Sequence, residues 1–229
     1  MQTVPAFIFV HFLIFHVALI ITRNAGVASR ITSLMHAISS LANVISSSGV
    51  LLGISDWTEA THPAMTRGLE FSIAYFLTDL LVMGAYMRRD ERDTTMFVHH
   101  VCIIAAFTTS LSYGYYVPVL FSFLVEEGST IFLNLRTIFP GHRAVLDVAF
   151  AALFFLLRIV AGTIIFFVGV MSIPAQAGEK RTLGLALASM GIATRVLNSL
   201  WLWLILRKVL RRRKHSRDGI QDRRPASSG

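Results

Sequence analysis

The chain has 229 residues, of which 54% are hydrophobic and 15% are charged. Soluble domains carry roughly 25% charged residues, and a chain of this length has too little interior to bury so much apolar surface in one core. The composition therefore argues against a soluble domain, and the mean hydropathy of +0.63 favours a membrane protein. Its single cysteine excludes an intramolecular disulfide.

The charge is strongly basic, because 21 Lys and Arg residues stand against 13 Asp and Glu residues, a net charge of +8. In a soluble protein such a balance would suggest a nucleic-acid partner. In an apolar chain it is typical of the loops that flank membrane spans. We therefore expect membrane lipids and no nucleic acid as partners.

Seven segments approach the roughly 20 apolar residues that cross a bilayer. In chain order they are Val4–Ile21, Leu34–Ile54, Leu69–Met87, Phe97–Ser112, Tyr116–Phe139, Val145–Met171 and Leu183–Leu206. The second is the weakest because serines dilute it. The pattern predicts an all-α polytopic membrane helix bundle of about seven transmembrane helices around a buried polar chamber.

The loops predict an orientation. Fifteen Lys and Arg residues fall on one side of the predicted spans, including nine in the tail, and three fall on the other. Since cytoplasmic loops carry the excess of positive charge, we expect a lumenal or outside N-terminus and a cytosolic C-terminus. The polybasic stretch Arg207–Lys214 is expected to attract anionic lipid headgroups, and residues 211–229 form a basic cytosolic tail that is expected to be disordered.

Several polar residues lie inside the predicted spans, where a charge costs roughly 2.5–3.5 kcal/mol. The charged ones are Asp79, Glu126, Glu127, Arg136, Arg158 and Arg195. We expect these acids and bases to pair inside the bundle. Polar stripes on several helices predict a buried chamber. Its expected lining residues are Tyr75, Thr130, Asn134, Arg158, Arg195 and Asn198.

Adjacent histidines, His99 and His100, begin the fourth span. They point about 100° apart on a helix, which disfavours a shared metal ion, and no metal site is expected. One of them is a candidate nucleophile or general base, oriented by the other histidine or by a carboxylate. Simple packing is the alternative explanation for the pair.

Four motifs in order resemble the TLC domain family, which includes TRAM, Lag1 and CLN8 proteins. They are Arg30-Ile-Thr-Ser33-Leu-Met-His36, Ser72-Ile-Ala-Tyr75-Phe76-Leu-Thr-Asp79, Phe97-Val-His99-His100 and Glu127-Gly-Ser129-Thr130-Ile-Phe-Leu-Asn134-Leu-Arg136. The resemblance implies a TLC domain over residues 25–210, preceded by a first transmembrane helix over residues 1–24. It also implies the endoplasmic reticulum as the location.

Ceramide synthases, which transfer a fatty acyl group from acyl-CoA to an amine, are the natural model within that family. The resemblance implies that the double histidine is catalytic and that Glu127 and Thr130 stand where those enzymes carry two aspartates. One carboxylate is thus kept in kind and the other is lost. The small divergent members that this chain is similar to act in lipid homeostasis.

Two hypotheses stay open. In the first, the chain is an acyl-CoA-dependent acyltransferase, with acyl-CoA as co-substrate and no bound cofactor. His99 or His100 attacks the acyl thioester, and Glu127 or Asp79 orients the ring. The loop cations Arg88, Arg89 and Arg92 steer the CoA phosphates. Alternatively, the chain is a non-enzymatic lipid-binding regulator of membrane lipid composition, which the loss of the second carboxylate favours. Under either hypothesis the expected partners are membrane lipids, acyl chains and a second copy of the chain in a homodimer.

Overall fold

The computed structural model describes residues 1, 3–59, 62–87 and 94–221, with side chains described as far as Lys208. Every regular element in these ranges is helical. The long helices, in chain order, are α1 (Val4–Thr22), α2 (Ala25–Ser46), α3 (Pro63–Ala85), α4 (Thr94–Tyr113), α5 (Val117–Ile138), α6 (Pro140–Ala175) and α7 (Gly178–Gln221). A short helix, Ser48–Leu52, follows α2.

The helix ends follow from local sequence. Pro63, Pro118 and Pro140 lie in the first turns of their helices, where the missing N–H has no intrahelical partner to lose. Between α1 and α2, Arg23 adopts a left-handed conformation with φ 52°. The Asn24 side chain then caps α2 by accepting a hydrogen bond from the backbone N–H of Val27 at 3.0 Å.

Six of the described helices are long and apolar enough to cross a membrane, whereas seven spans were predicted. The exception is α2, although its 22 residues extend about 33 Å. Its serines, Arg30 and His36 lower its mean hydropathy, but most of the polar ones face the protein. Ser33 and His36 are buried, whereas Met35 and Ile38 on the other side are nearly half exposed. The chain is a multi-pass membrane protein, and the orientation of its termini stays a prediction.

The bundle has two parts that meet at its centre. On one side, α2 packs against α1, α3 and α5. On the other side, α7 packs against α4 and α6. One cluster of buried apolar side chains connects the two parts, since it includes Met65 of α3 and Phe121 of α5 together with Phe107 of α4 and Leu187 of α7. This arrangement leaves each part with its own set of inward-facing polar residues.

Two helices are irregular at the same depth. Within α5, residues Phe123–Glu126 form a 3-10 turn, and within α6, residues Phe154–Ala161 form a π-helix. These two segments contact each other. π-helical turns are rare in proteins, and those that occur are often found at functional sites. The contact between these two segments is therefore a candidate position for a functional site.

Candidate functional site

Arg158, in the π-helical turn of α6, is held by three neighbours on α5. Its Nε donates to Ser129 Oγ at 3.0 Å, and its Nη2 donates to Thr130 Oγ1 at 2.9 Å and to Glu127 Oε1 at 3.2 Å. All four side chains are buried. A buried guanidinium must find such partners because its uncompensated charge would be very costly.

Arg195 of α7 completes the arrangement. Its Nη2 donates to Glu126 Oε1, and its Nη1 donates to the backbone carbonyl of Arg158 at 2.6 Å. Asn198, one turn further along α7, donates to Glu126 Oε2 at 3.1 Å. These residues form what we call the ionic cluster: Glu126, Glu127, Arg158, Arg195 and Asn198. Two carboxylates therefore balance two guanidinium groups, and the predicted pairing of intramembrane charges is confirmed for these four.

A cavity lies beside the ionic cluster, between α4, α5, α6 and α7. Its free space is about 860 Å³, including the part that opens to the surroundings. At one end it is polar, lined by His99, Glu127, Arg158 and Arg195. The remaining walls are mostly apolar and include Phe107, Leu120, Val170, Ile173, Leu187 and Ala188.

The cavity is elongated. Its lining on α7 runs from Gly184 to Arg195, a rise of about 16 Å at 1.5 Å per residue. Tyr116 lies at the apolar end, where its hydroxyl donates to the backbone carbonyl of Lys180 at 3.3 Å. An elongated apolar cavity with one polar end, which we also call the slot, matches a ligand that has a long apolar part and a polar terminus.

His99 and His100 face different surroundings. His99 lines the cavity and packs edge-on against Trp201, with ring centroids 5.2 Å apart. His100 packs against Phe76, and its Nδ1 lies 3.4 Å from Asp79 Oδ2 without the geometry of a hydrogen bond. The two rings therefore do not act on the same space.

A second polar region follows α1, α2 and α3. His36 stacks on Tyr75 with ring centroids 4.0 Å apart, and its Nε2 lies 3.1 Å from the hydroxyls of Ser72 and Ser40. His11 lies 6.3 Å from His36, centroid to centroid. We call the following set the histidine column: His11, His36, Tyr75, Asp79 and His100. It runs beside the cavity-bearing part of the bundle rather than into it.

Hydroxyls on α2 connect the histidine column to its neighbours. Ser29 Oγ donates to Asp79 Oδ1 at 3.3 Å, and Asn134 of α5 donates from Nδ2 to Ser33 Oγ at 2.9 Å. The serines of α2 therefore hold polar partners on two other helices. The low apolar content of α2 thus reflects the contacts that its serines make inside the bundle.

The structure thus divides the residues predicted for the site. His99, Glu127, Arg158 and Arg195 meet at the polar end of the cavity. The other predicted residues do not line the cavity. Asp79, His100 and Tyr75 belong to the histidine column, Asn198 belongs to the ionic cluster, Thr130 accepts from Arg158, and Asn134 donates to Ser33 of α2. Arg88, Arg89 and Arg92 lie outside the described residues, as do the side chains of the tail beyond Lys208.

Two partnerships differ from the expected ones. Glu127, one of two carboxylates expected to orient a catalytic histidine, accepts a hydrogen bond from Arg158. Arg136 pairs with Asp147 of α6 at 2.9 Å instead of with an acid of the chamber. The role of His36 was missed, although it follows Ser29 and Ser33 and precedes Ser40 at helical spacing on one face of α2. That polar stripe was a usable signal.

Comparison with known proteins gives consistent matches. A family model described as the TLC domain matches residues 27–207. A relative from Acanthamoeba polyphaga mimivirus, "Putative TLC domain-containing protein L438", is 30% identical over 115 residues. That alignment covers 47% of this chain and 56% of the relative, so the chain spans about half the length of the curated relative that it matches.

Proposed function

This chain belongs to the TLC domain family, and we propose that it holds a lipid acyl chain in the cavity between α4 and α7 and acts in membrane lipid homeostasis. The elongated apolar cavity that ends at the ionic cluster carries this proposal. The apolar walls suit the hydrocarbon chain, and the guanidinium groups of Arg158 and Arg195 suit a carbonyl or acidic group at its end.

The polar end of the cavity suits a ligand whose terminus is neutral or weakly acidic. Because Glu126 and Glu127 already balance the two arginines, a ligand need not supply a full charge to be tolerated. A polar terminus such as an ester or thioester carbonyl can accept hydrogen bonds there without leaving a buried charge uncompensated. This favours an acyl group over a free multivalent phosphate.

The binding proposal is tested by filling the cavity. Ala188 lines it on α7, whereas Ala186, two residues earlier on the same helix, is exposed and does not line it. We expect the full chain, purified in detergent, to retain lipid that mass spectrometry detects. Ala188→Phe should lower the retained lipid by roughly ten-fold, because its ring occupies the slot, and Ala186→Phe should leave it unchanged.

Equal lipid retention by both variants would place the lipid elsewhere and contradict the proposal. Each variant is first checked for an unchanged size-exclusion profile. A folded Ala188→Phe protein that binds as the wild type does is therefore a negative result, not an artefact of misfolding.

A second candidate function is acyl transfer, which the position of His99 at the polar end favours. An acyl thioester whose chain fills the slot would place its carbonyl near this imidazole. The transfer breaks the bond from the carbonyl carbon to the thioester sulfur and forms a bond to an acceptor amine or hydroxyl. The acceptor's proton passes through the imidazole to the leaving thiolate, and the nearby guanidinium groups stabilise the oxyanion.

Turnover of acyl-CoA with a long-chain amine acceptor tests this candidate. We expect His99→Ala to lower product formation by about 100-fold or more, the usual contribution of a positioned acid–base group. His142→Ala, at an exposed position in the first turn of α6, is the control and should retain full turnover. Full turnover by His99→Ala would show that the imidazole has no part in the chemistry.

A further inference from the structure

Cys102, the single cysteine of the chain, lies in the wall of the cavity. It is a free thiol, partly accessible, and it lines the slot between the polar end and the apolar walls. It stands three residues after His99 on α4, and residues at this spacing share one helix face with Cβ atoms about 5–6 Å apart. A thiol and an imidazole therefore face the same space.

His99 gives an independent reason to expect a reactive ligand at this place. The residue is only 5% exposed, its ring lines the same cavity, and its Nδ1 has no hydrogen-bond partner. A buried polar nitrogen without a hydrogen-bond partner costs free energy. The unpartnered nitrogen of His99 therefore points to an interaction with a ligand in the cavity.

We infer that Cys102 receives the acyl group as a covalent thioester, with His99 as the base that activates its thiol. This inference rests on the acyl-chain cavity proposed above. It makes the thiol, rather than the imidazole, the group that bonds to the acyl carbon. Thiolates are the stronger nucleophiles of the two for this step, and the apolar walls accommodate the attached chain.

The step is a thioester exchange. The sulfur of Cys102 attacks the carbonyl carbon of an acyl thioester such as acyl-CoA, and the bond from that carbon to the donor sulfur breaks. His99 takes the proton from Cys102 and delivers it to the leaving thiolate. One thioester replaces another, so the exchange requires no oxidant or further reactant. An acceptor amine or hydroxyl can later attack the new thioester and restore the thiol.

The experiment uses the full chain in detergent, incubated with palmitoyl-CoA that carries a terminal alkyne. Acylation is followed by intact-protein and peptide mass spectrometry. We expect one acyl group on Cys102, released by neutral hydroxylamine. Labelling should be at least about ten-fold slower in His99→Gln, which loses the base, and absent in Cys102→Ala.

The matched control moves the thiol without changing its depth in the membrane. Val101 adjoins Cys102 but is 44% exposed and does not line the cavity. The double variant Val101→Cys/Cys102→Ala therefore presents a cysteine at the same level on the outer face of α4. It should stay unlabelled. Labelling at the wild-type rate would mean that any membrane-level thiol reacts, and would overturn the inference.

The remaining outcomes separate this inference from the proposed function. An adduct on His99 with Cys102 unmodified overturns the inference and supports acyl transfer through the imidazole. Retained lipid without any covalent adduct overturns the inference and leaves lipid binding in place. Neither retained lipid nor adduct in the folded wild type overturns both.

Discussion

The ionic cluster and the histidine column satisfy their buried polar groups in different ways. In the ionic cluster, each carboxylate has a guanidinium partner, and the four charges cancel. The histidine column relies on imidazoles, hydroxyls and ring stacking. Buried polar atoms without a hydrogen bond occur in both regions: Arg195 Nε and Asn198 Oδ1 in the ionic cluster, and ring nitrogens of His11, His36 and His100 in the histidine column. The first region borders the cavity, whereas none of the five residues of the histidine column lines it.

The difference predicts unequal responses to substitution. Breaking a buried ion pair leaves an uncompensated charge, which costs about 3–5 kcal/mol. Losing a hydrogen bond between membrane helices costs about 0.6 kcal/mol on average. Single substitutions in the ionic cluster should therefore lower the free energy of unfolding more than single substitutions in the histidine column.

The largest effect is expected for Arg158→Met. This change leaves Glu127 without its guanidinium and should lower the free energy of unfolding by about 3–5 kcal/mol. The quantity is measured by denaturant unfolding of the purified chain in detergent. Arg143→Met, at an exposed position near the start of α6, is the control. A loss at Arg158 no greater than at Arg143 would show that the ionic cluster does not hold α5 and α6 together.

Gly162→Ala should have the next largest effect. A Cβ at this position would overlap the side chains of Arg195 and Glu126, so the ionic cluster must shift, at about 1–3 kcal/mol. A Cβ at Gly84 would meet nothing within 4 Å. Gly84→Ala should instead stabilise α3 by up to about 1 kcal/mol. Melting temperatures that move in the same direction for both variants would contradict the steric account.

A smaller effect is expected for His36→Phe in the histidine column. The ring can still stack on Tyr75, but its contacts with Ser72 and Ser40 are lost. The expected destabilisation is about 0.6–1.7 kcal/mol, the range for such bonds in membrane proteins. Retained lipid, measured as for the cavity variants, should be unchanged. A marked loss of lipid would show that the two polar regions are not independent.

The smallest effect is expected outside the bundle, at Asp56. The hydroxyl and backbone N–H of Thr58 donate to its carboxylate at 2.6 and 2.8 Å, and they lower its pKa below the ordinary 3.8. Its stabilisation is therefore complete above pH 3.8 and is lost as the pH falls through the lowered pKa. Asp56→Asn should cost about 1 kcal/mol or less at neutral pH. The difference from the wild type should shrink in acid, as melting curves at several pH values would show.

The helices could be predicted from hydropathy wherever lipid surrounds most of a helix. The segment predicted as Val4–Ile21 is close to the observed Val4–Thr22, since α1 is apolar nearly all round. The segment predicted as Leu34–Ile54 differs from Ala25–Ser46. A hydropathy average includes every side of a helix. Because α2 directs its polar side toward other helices, its average hydropathy is low and does not reveal the residue at which the helix begins.

The presence of paired charges could also be predicted, but the choice of partners could not. A charged side chain inside a membrane needs an opposite charge. This requirement is the same for Glu126, Glu127, Arg158 and Arg195, so it does not determine which acid pairs with which base. Glu127 was related to the histidines through the family resemblance. The 3-10 turn of α5 and the π-helical turn of α6 change the angles at which Glu127 and Arg158 leave their helices. Such turns have no clear signature in one sequence.

The π-helical turn makes the length of α6 as important as its composition. Arg158 lies within the turn, and its own carbonyl accepts from Arg195. Removing one apolar residue from Phe154–Leu157 would shorten the π-helical turn and change the angle at which Arg158 leaves α6. The hydropathy profile and every charge would be preserved, yet α6 would no longer present one face to α5 and α7 together. In this helix, the number of residues is itself a determinant of the site.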